Sequence, residues 1–171
     1  NFNSKDKPIP QSYHRKSQLN YRYIFENFIE GKGNQFARAA AISVAENPGQ
    51  TPYNPLLIYS TPGLGKTHLL QAIGNKIIRQ NPNMKIVYLT SEKFMLDFIS
   101  SIQKNNSTNF INHYRNIDML LLDDAQFFQK KEQTQEQFFH LFNDLFQKGK
   151  QIVLTTDRHP NELTGLKERL V

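Results

Sequence analysis

One eight-residue run, STPGLGKT at residues 60–67, constrains the fold of this 171-residue chain more than any other feature. It matches the phosphate-binding P-loop pattern G-x-x-x-x-G-K-[ST] at every fixed position but the first, where Ser60 replaces glycine. A P-loop joins the end of a strand to the start of a helix. Residues 56–59 form an apolar run that suits a buried strand, and residues 66–80 repeat apolar side chains at helical spacing. The run therefore predicts an α/β domain that holds a phosphate group.

The rest of the chain repeats this alternation of strand and helix. Strands are predicted at 56–59, 86–89, 119–122 and 152–155, and helices at 34–47, 66–80, 91–105, from 107 or 108 onwards, and at 133–148. Each predicted strand is apolar along its length, which is typical of a parallel sheet covered by helices on both faces. We therefore predict a three-layer α/β sandwich with a central parallel sheet.

Some helix ends and faces can be predicted residue by residue. Asn34 and Ser91 stand where the N-caps of the first and third predicted helices are expected. Phe36 belongs to the apolar side of the first helix. The last helix carries aromatic side chains at helical spacing, which indicates packing in the core rather than a ligand site. This stripe consists of Phe138, Phe139, Phe142 and Phe146.

Composition narrows the class of protein. Without cysteine the chain has no disulfides, thiolate zinc sites or cysteine nucleophiles, and no apolar run approaches the ~20 residues of a membrane span. We expect a cytoplasmic protein, because no apolar stretch near the start resembles a secretory signal. The net charge of +6 lies mostly in the first 22 residues, which hold five basic residues and one acidic residue. Residues 1–18 are predicted to be a linker, either a solvated arm or one that contacts nucleic acid, and residues 19–171 the folded domain.

The P-loop residues suit the binding of ATP or ADP. Gly63 and Gly65 let backbone N–H groups close around phosphate oxygens at the positive end of a helix. Lys66 supplies a cation to the β- and γ-phosphates, and the Thr67 hydroxyl can join a Mg²⁺ shell. A dinucleotide site is disfavoured, because G-x-G-x-x-G would require glycine at His68. The predicted nucleotide-binding residues are Gly63, Leu64, Gly65, Lys66, Thr67 and His68.

Acidic residues follow the third and fourth predicted strands. Asp123 and Asp124 form a Walker B arrangement, in which Asp123 would hold Mg²⁺ and Asp124 would polarise the attacking water. An Asp-Asp pair alone is also compatible with a solvated turn, and the P-loop two strands earlier favours the Walker B interpretation. After the fourth strand, Asp157 either senses the γ-phosphate or caps the next helix. The residues leave these two roles open.

Six segments together resemble the AAA+ ATPase domain of the bacterial replication initiator DnaA. They are NPLLIY at 54–59, GLGKTHLL at 63–70, YRNID at 114–118, LLLDDAQFF at 120–128, KEQTQEQFFHLFN at 131–143, and FENF with GKGNQFA between 25 and 37. The last of these resembles the family motif that lies over the adenine. The resemblance covers roughly residues 19–171, and it implies an AAA+ fold that binds ATP or ADP with Mg²⁺.

The resemblance also implies partners. Family members assemble head-to-tail into a filament on the chromosomal origin, melt an AT-rich duplex and load the replicative helicase. Their extra helical pair corresponds to residues 91–114. Four positions would lie along the track of single-stranded DNA, namely Ile99, Lys131, Gln133 and Thr134. The family often has a basic residue where Gln133 stands, so this side chain would contribute hydrogen bonding. Without the resemblance, the residues alone favour ordinary helix packing for Ile99 and a solvated loop charge for Lys131.

The resemblance implies that these 171 residues are a fragment of a longer initiator protein. The family's arginine finger would follow Arg169, and its lid and the C-terminal domain that reads duplex origin DNA would follow later. We therefore expect these 171 residues alone to hydrolyse ATP near background. One alternative is a DnaA-related AAA+ regulator or helicase loader, which the full-length sequence would distinguish by the absence of a helix-turn-helix. A second alternative is a P-loop kinase of a small substrate, which would transfer phosphate to a hydroxyl acceptor and would not bind DNA.

Overall fold

A computed structural model describes residues 17–163 and residue 165. Its centre is a four-stranded parallel sheet with the strand order β1-β4-β3-β2. The strands are β1 (Leu56–Tyr59), β2 (Ile86–Thr90), β3 (Met119–Asp123) and β4 (Gln151–Thr156). Each predicted strand is confirmed to within one residue at either end. The predicted linker at 1–18 and the residues around Arg169 fall largely outside the described part of the chain.

Five α-helices among the described residues cover the two faces of this sheet. They are α1 (Gln35–Glu46), α2 (Lys66–Gln80), α3 (Ser91–Gln103), α4 (Ser107–Arg115) and α5 (Glu132–Gln147). Short 3₁₀ helices occupy Phe25–Asn27, Ala125–Phe128 and Pro160–Glu162. Helices α1 and α2 share one hydrophobic core with the sheet, and α3, α4 and α5 share the other. The predicted three-layer α/β sandwich is confirmed.

Strand β3 shows how the sheet divides the two cores. Met119 and Leu121 pack beneath α1 and α2, whereas Leu120 and Leu122 pack beneath the other three helices. Successive side chains of a strand point to opposite faces, so a strand buried on both faces is apolar throughout. This explains why the strands carry no polar alternation in the sequence.

An aromatic cluster fills the core beneath α3, α4 and α5. The ring of Phe94 lies at its centre, with ring centroids of four neighbours 5.4–5.8 Å away. These neighbours are Phe110, Tyr114, Phe128 and Phe138. Most of the predicted aromatic stripe on α5 therefore lies in the core.

Two aromatic residues predicted to face inward do not. Phe36 is 75% exposed in the first turn of α1 and packs edge-to-face with Tyr53, with ring centroids 6.3 Å apart. Phe146 is 46% exposed in the last turn of α5 and stacks on Phe142. Both follow the helical spacing, but each stands in a terminal turn of its helix and is largely exposed.

Two predicted caps also differ in the structure. Asn34 precedes α1, but its side chain accepts a hydrogen bond from the Gly31 N–H and donates one to the Ile29 carbonyl, so it stabilises the preceding loop. The cap of α3 is Thr90 rather than Ser91, because the Thr90 hydroxyl accepts a hydrogen bond from the Lys93 N–H at 3.1 Å.

This cap gives a prediction of stability. Thr90→Ala should lower the free energy of unfolding by about 1 kcal/mol, because it leaves the Lys93 N–H without its acceptor. Thr90→Ser keeps the hydroxyl and should restore most of the loss. Urea unfolding measures the free energy of unfolding of both variants, and an unchanged denaturant slope shows that the difference is one of stability. An equal loss in the two variants would show that the methyl group, and not the cap, is what matters.

No helix among residues 17–163 and 165 is both long enough and apolar enough to cross a bilayer.

Candidate active site

The site lies at the carboxyl end of the sheet. The P-loop follows β1, Asp123 ends β3, and Asp157 follows β4. Because β4 lies between β1 and β3, the strand order brings these three segments together. They border a cleft of about 490 Å³. Its lining consists of Tyr23, Pro62, Gly63, Gly65, Lys66, Thr67, His68, Asp124, Gln126 and Asp157.

The P-loop backbone requires glycine at Gly65. Its φ of +89° is left-handed, and a Cβ there would stand 2.8 Å from Cε2 of Phe28. Leu64 is 60% exposed and lies outside the cleft, beside a smaller apolar pocket. It can therefore contribute only its backbone to a ligand in the cleft.

Lys66 is a buried cation whose ammonium bonds oxygens of its own loop. Its ammonium donates hydrogen bonds to the Ser60 carbonyl at 2.8 Å and to the Thr61 carbonyl at 3.2 Å, and the residue is 8% exposed. Among the residues that the structure describes, no ion pair joins Lys66 to a carboxylate. Burying a charge without a counter-charge is costly, and an anionic ligand in the cleft would supply one.

Three hydroxyl groups surround the Asp123 carboxylate, which is 2% exposed. Thr67 donates to Oδ2 at 2.7 Å, Tyr88 donates to the same oxygen at 3.1 Å, and Thr155 donates to Oδ1. Burial, and then the charge of Asp123, raise the pKa of the Tyr88 hydroxyl, so this group remains a proton donor at neutral pH. The carboxylate is thus held in one orientation by residues from β2, β4 and the P-loop helix.

The next residue, Asp124, has a backbone fixed on both sides. Its φ of +59° is left-handed, its N–H donates to Thr155 Oγ1 at 3.0 Å, and its carbonyl accepts a hydrogen bond from Ser91 Oγ. Burial raises the pKa of the Asp124 carboxyl above its usual range, and the neighbouring negative charge of Asp123 adds to this effect. A raised pKa makes a carboxylate a stronger base.

Asp157 does not cap a helix. The 3₁₀ helix after β4 begins behind His159, whose Nδ1 accepts a hydrogen bond from the Asn161 N–H, so the capping alternative is wrong. The Oδ1 atom of Asp157 is buried and has no hydrogen-bond partner among the described residues, and the nearest cation is Arg158 Nε at 4.0 Å. Asp157 therefore lines the cleft with unused hydrogen-bonding capacity.

A strap formed by residues 19–28 lies across α2 and forms one wall of the cleft. Its backbone is bonded by side chains of the helix: Gln71 accepts from the Asn20 N–H at 2.6 Å, and Asn75 donates to the Asn20 and Tyr23 carbonyls at 2.8 Å. The Nε2 atom of His68 lies 2.7 Å from the Ile24 carbonyl and therefore carries the proton of this bond.

The rings of the strap complete this arrangement. The His68 ring packs between Tyr23 and Phe28, with centroids 5.1 and 5.3 Å away. Although His68 lines the cleft, its hydrogen bond and ring contacts hold the strap. His68, Gln71 and Asn75 are spaced i, i+3 and i+7, and this polar stripe on a buried helix is the sequence signal for the strap.

The four candidate DNA-binding residues lie outside the cleft. Ile99 is 43% exposed on α3, and Lys131 and Gln133 are exposed at the start of α5. Thr134 is only 5% exposed, so its side chain is not a surface contact. Helix α5 begins after Lys131 without a side-chain cap, which leaves backbone N–H groups of its first turn to bind an anion.

Three residues that contact the site residues are not predicted from the sequence to belong to the site. Tyr88 orients Asp123, Ser91 bonds the Asp124 carbonyl, and Gln126 contacts both Asp124 and Asp157. Their partners are 31 to 35 residues away in the chain, except for the contact between Gln126 and Asp124. Only the assembled sheet shows these contacts.

The chain is similar to one protein family along most of its length. The family described as the bacterial DnaA ATPase domain matches residues 19–171. The chromosomal replication initiator protein DnaA of Lacticaseibacillus paracasei is 58% identical over 160 residues, which are 94% of this chain and 35% of that protein. The DnaA of Latilactobacillus sakei is 56% identical over 157 residues, with 92% of this chain and 35% of that protein covered. The chain therefore spans about a third of the length of these curated relatives.

Solved structures show the same similarity. Domain III of the Thermotoga maritima replication initiation protein DnaA has a TM-score of 0.84 at 47% identity and covers 89% of this chain and 63% of its own. A replication initiator DnaA bound to AMPPCP and single-stranded DNA has a TM-score of 0.82 at 43% identity, with 89% and 47% covered. The DnaC helicase loader reaches a TM-score of 0.68 over 87% of this chain and 90% of its own, but at 16% identity this likeness shows the fold alone.

Proposed function

This chain belongs to the bacterial DnaA ATPase-domain family, and on that premise we propose that it is the ATP-binding core of a chromosomal replication initiator. The observation that carries the proposal is the buried Lys66 ammonium, which makes no ion pair among the described residues and belongs to a residue that lines an open cleft together with Asp124 and Asp157. A phosphate chain is the ligand that such a loop recognises. Relatives at 58% identity are named DnaA, and a DnaA at 43% identity is bound to AMPPCP, which supports ATP as the ligand.

The loop and the strap divide the binding of nucleotide between them. The backbone N–H groups from Gly63 to Thr67 bind phosphate oxygens, and the Lys66 ammonium exchanges its loop carbonyls for the β- and γ-phosphates. His68 binds no phosphate directly but holds the strap against the loop. The base then lies against the strap and the residues that follow it, up to Ala37.

The residues around Asp123 fit a magnesium ion. Carboxylate and hydroxyl oxygens are the hard donors that Mg²⁺ prefers, and Mg²⁺ usually takes one or two carboxylates together with phosphate oxygens and water. The Thr67 hydroxyl donates its proton to Asp123, which leaves its oxygen lone pairs available to a cation. Thr67 and Asp123 would hold Mg²⁺, which would neutralise charge on the phosphates during transfer.

Two further carboxylates act in hydrolysis. Asp124 accepts a proton from the attacking water, a role that suits a half-buried carboxylate with a raised pKa. Asp157 faces the same cleft and uses its free oxygen to detect the γ-phosphate, through water or another donor. The reaction is the hydrolysis of ATP to ADP and phosphate.

Titration of the full-length protein with labelled ATP and ADP, with and without Mg²⁺, tests the proposal. We expect both nucleotides to bind, with Mg²⁺ strengthening the binding of ATP. Failure to bind either nucleotide would contradict the proposal. Phosphoryl transfer from ATP to a small hydroxyl compound in preference to water, without any effect of DNA, would favour the kinase alternative.

The partners proposed for the whole protein include DNA. Single-stranded DNA contacts this domain, its phosphates meeting Lys131, Gln133 and the free N–H groups at the start of α5, and its bases meeting Ile99 on α3. Thr134 contributes its backbone, because its side chain is buried. The DnaA structure solved with single-stranded DNA supports this partner.

Other roles concern the full-length protein in the cytoplasm. They are head-to-tail assembly into a filament on the chromosomal origin, recognition of origin duplex by a further domain, and loading of the replicative helicase. A DnaA-related regulator or helicase loader is the second candidate, because the ATPase fold alone, which the DnaC helicase loader shares, does not separate it from an initiator. A helix-turn-helix domain in the full-length sequence separates an initiator from both.

Salt dependence tests the contact at Lys131. In the full-length protein with ATP, Lys131→Ala should weaken binding of single-stranded DNA and reduce the salt slope of log K by about 0.7, because one phosphate contact is lost. Lys148→Ala is the matched control, since Lys148 follows the opposite end of α5 and pairs with Asp144. A slope that is unaltered by Lys131→Ala would show that Lys131 is only a solvated charge.

A further inference from the structure

Gln126 is bonded to both carboxylate-bearing residues of the hydrolytic site. Its Nε2 donates to Asp124 Oδ1 at 3.2 Å, and its Oε1 accepts from the Asp157 N–H at 3.3 Å. A carboxylate can only accept and a backbone N–H can only donate, so the orientation of this amide is determined by chemistry. One planar side chain therefore connects the residues that follow β3 and β4.

The Asp124 carboxylate depends on this contact. The backbone of Asp124 is held at its N–H by Thr155 and at its carbonyl by Ser91. By contrast, among the described residues only Gln126 donates a hydrogen bond to the Asp124 carboxylate. Without that bond the side chain would be free to rotate about its own torsions, although the main chain would stay in place.

Gln126 also bonds the main chain that carries the second carboxylate, that of Asp157. Its Oδ1 is buried without a hydrogen-bond partner among the described residues, and the residue lines the same cleft as Lys66 and Asp124. The backbone that carries this carboxylate is bonded by Gln126. Gln126 thus fixes the position of one carboxylate directly and that of the other through its main chain.

We propose that Gln126 is a positioning residue for ATP hydrolysis. It holds the water-activating Asp124 carboxylate at a fixed position relative to Asp157. This role rests on the proposed ATPase function and adds a residue to it. A displacement of about 1 Å in a reacting group can cost about 100-fold in rate, so a loose Asp124 carboxylate should slow the chemical step without affecting the binding of ATP.

The test compares three variants of the full-length protein. Gln126→Met keeps the length of the side chain and removes both hydrogen bonds. Gln126→Glu keeps the acceptor for the Asp157 N–H but replaces the donor with a second negative charge beside Asp124. Gln129→Met is the control, because Gln129 stands in the same loop but bonds Arg158 and the Glu162 carbonyl outside the cleft.

We expect both Gln126 variants to lower kcat by about 10- to 100-fold. Their Kd for ATP and their melting temperature should stay at the values of the unsubstituted protein, and Gln129→Met should keep its kcat. A normal kcat in Gln126→Met with normal ATP affinity would overturn the role of Gln126 while leaving the ATPase function intact. Parallel losses of kcat, affinity and melting temperature would overturn it too, since Gln126 would then only stabilise the loop. Failure of the unsubstituted protein to bind ATP would instead overturn the proposed function.

Discussion

Lys66→Ala should abolish most of the affinity for nucleotide. The Lys66 ammonium is the charged group of the phosphate loop, and hydrogen bonds to charged groups contribute about 1.5–3 kcal/mol each. The loss of two such contacts to phosphate corresponds to about 3 kcal/mol or more, which is at least about a 100-fold increase in Kd. Titration with labelled ATP and ADP measures the change.

Two further variants separate this effect from its alternatives. Lys66→Met retains most of the buried apolar stem, so an affinity as low as that of Lys66→Ala would assign the loss to charge and not to packing. Lys76→Ala removes a lysine from the same helix, but its ammonium pairs with Glu46 at 2.9 Å outside the cleft, and its ATP affinity should be unchanged. Unchanged affinity in Lys66→Ala itself would contradict the assignment of the P-loop.

Asp124→Asn should slow hydrolysis by about 10²–10⁴-fold, the usual contribution of a general base, while it leaves ATP binding intact. The amide has nearly the shape of the carboxylate but cannot take a proton from water. The hydrogen bonds that join the backbone of residue 124 to Thr155 and Ser91 do not involve its side chain, so the loop should keep its conformation. Single-turnover hydrolysis in the full-length protein, with ATP affinity measured in parallel, gives both quantities.

Asp123→Asn, unlike Asp124→Asn, should weaken the binding of ATP. This residue is proposed to hold Mg²⁺, so its loss should weaken the Mg²⁺-dependent part of ATP binding. It also replaces an acceptor of three hydroxyl groups by an amide, and the unfolding free energy should be measured beside the affinity. If the two asparagine variants gave the same result, the proposed division of roles between the carboxylates would be wrong.

The elements of this fold were predictable because their signals are local. A strand buried on both faces is an uninterrupted apolar run, and a P-loop is a contiguous motif, so neither needs knowledge of distant residues. Strand order is not visible in such runs. The P-loop, Asp124 and Asp157 nevertheless line one cleft, because each comes after a strand and parallel strands end at one edge of the sheet.

The errors arise where tertiary contacts decide between similar residues. Thr90 and Ser91 are adjacent hydroxyl residues, and either could cap α3 by sequence. The Ser91 hydroxyl is taken by the Asp124 carbonyl, which leaves Thr90 as the cap. The sequence leaves two roles for Asp157, and the structure excludes capping because the next helix begins after His159. Gln126 gave no signal at all, because nothing in its local sequence shows that β4 brings Asp157 to it.

The strap of residues 19–28 has a consequence for the stability of the cleft. Its hydrogen bonds end on His68, Gln71 and Asn75, so the strap cannot separate from the first half of α2 without leaving buried polar groups unpaired. Leu19 adds a close contact at Gly74, where an added Cβ would stand 2.7 Å from Leu19 Cδ1. The strap and the first half of α2 are therefore expected to open together as one cooperative unit. A ligand that stabilises the start of α2 should then slow amide hydrogen exchange in the strap as well.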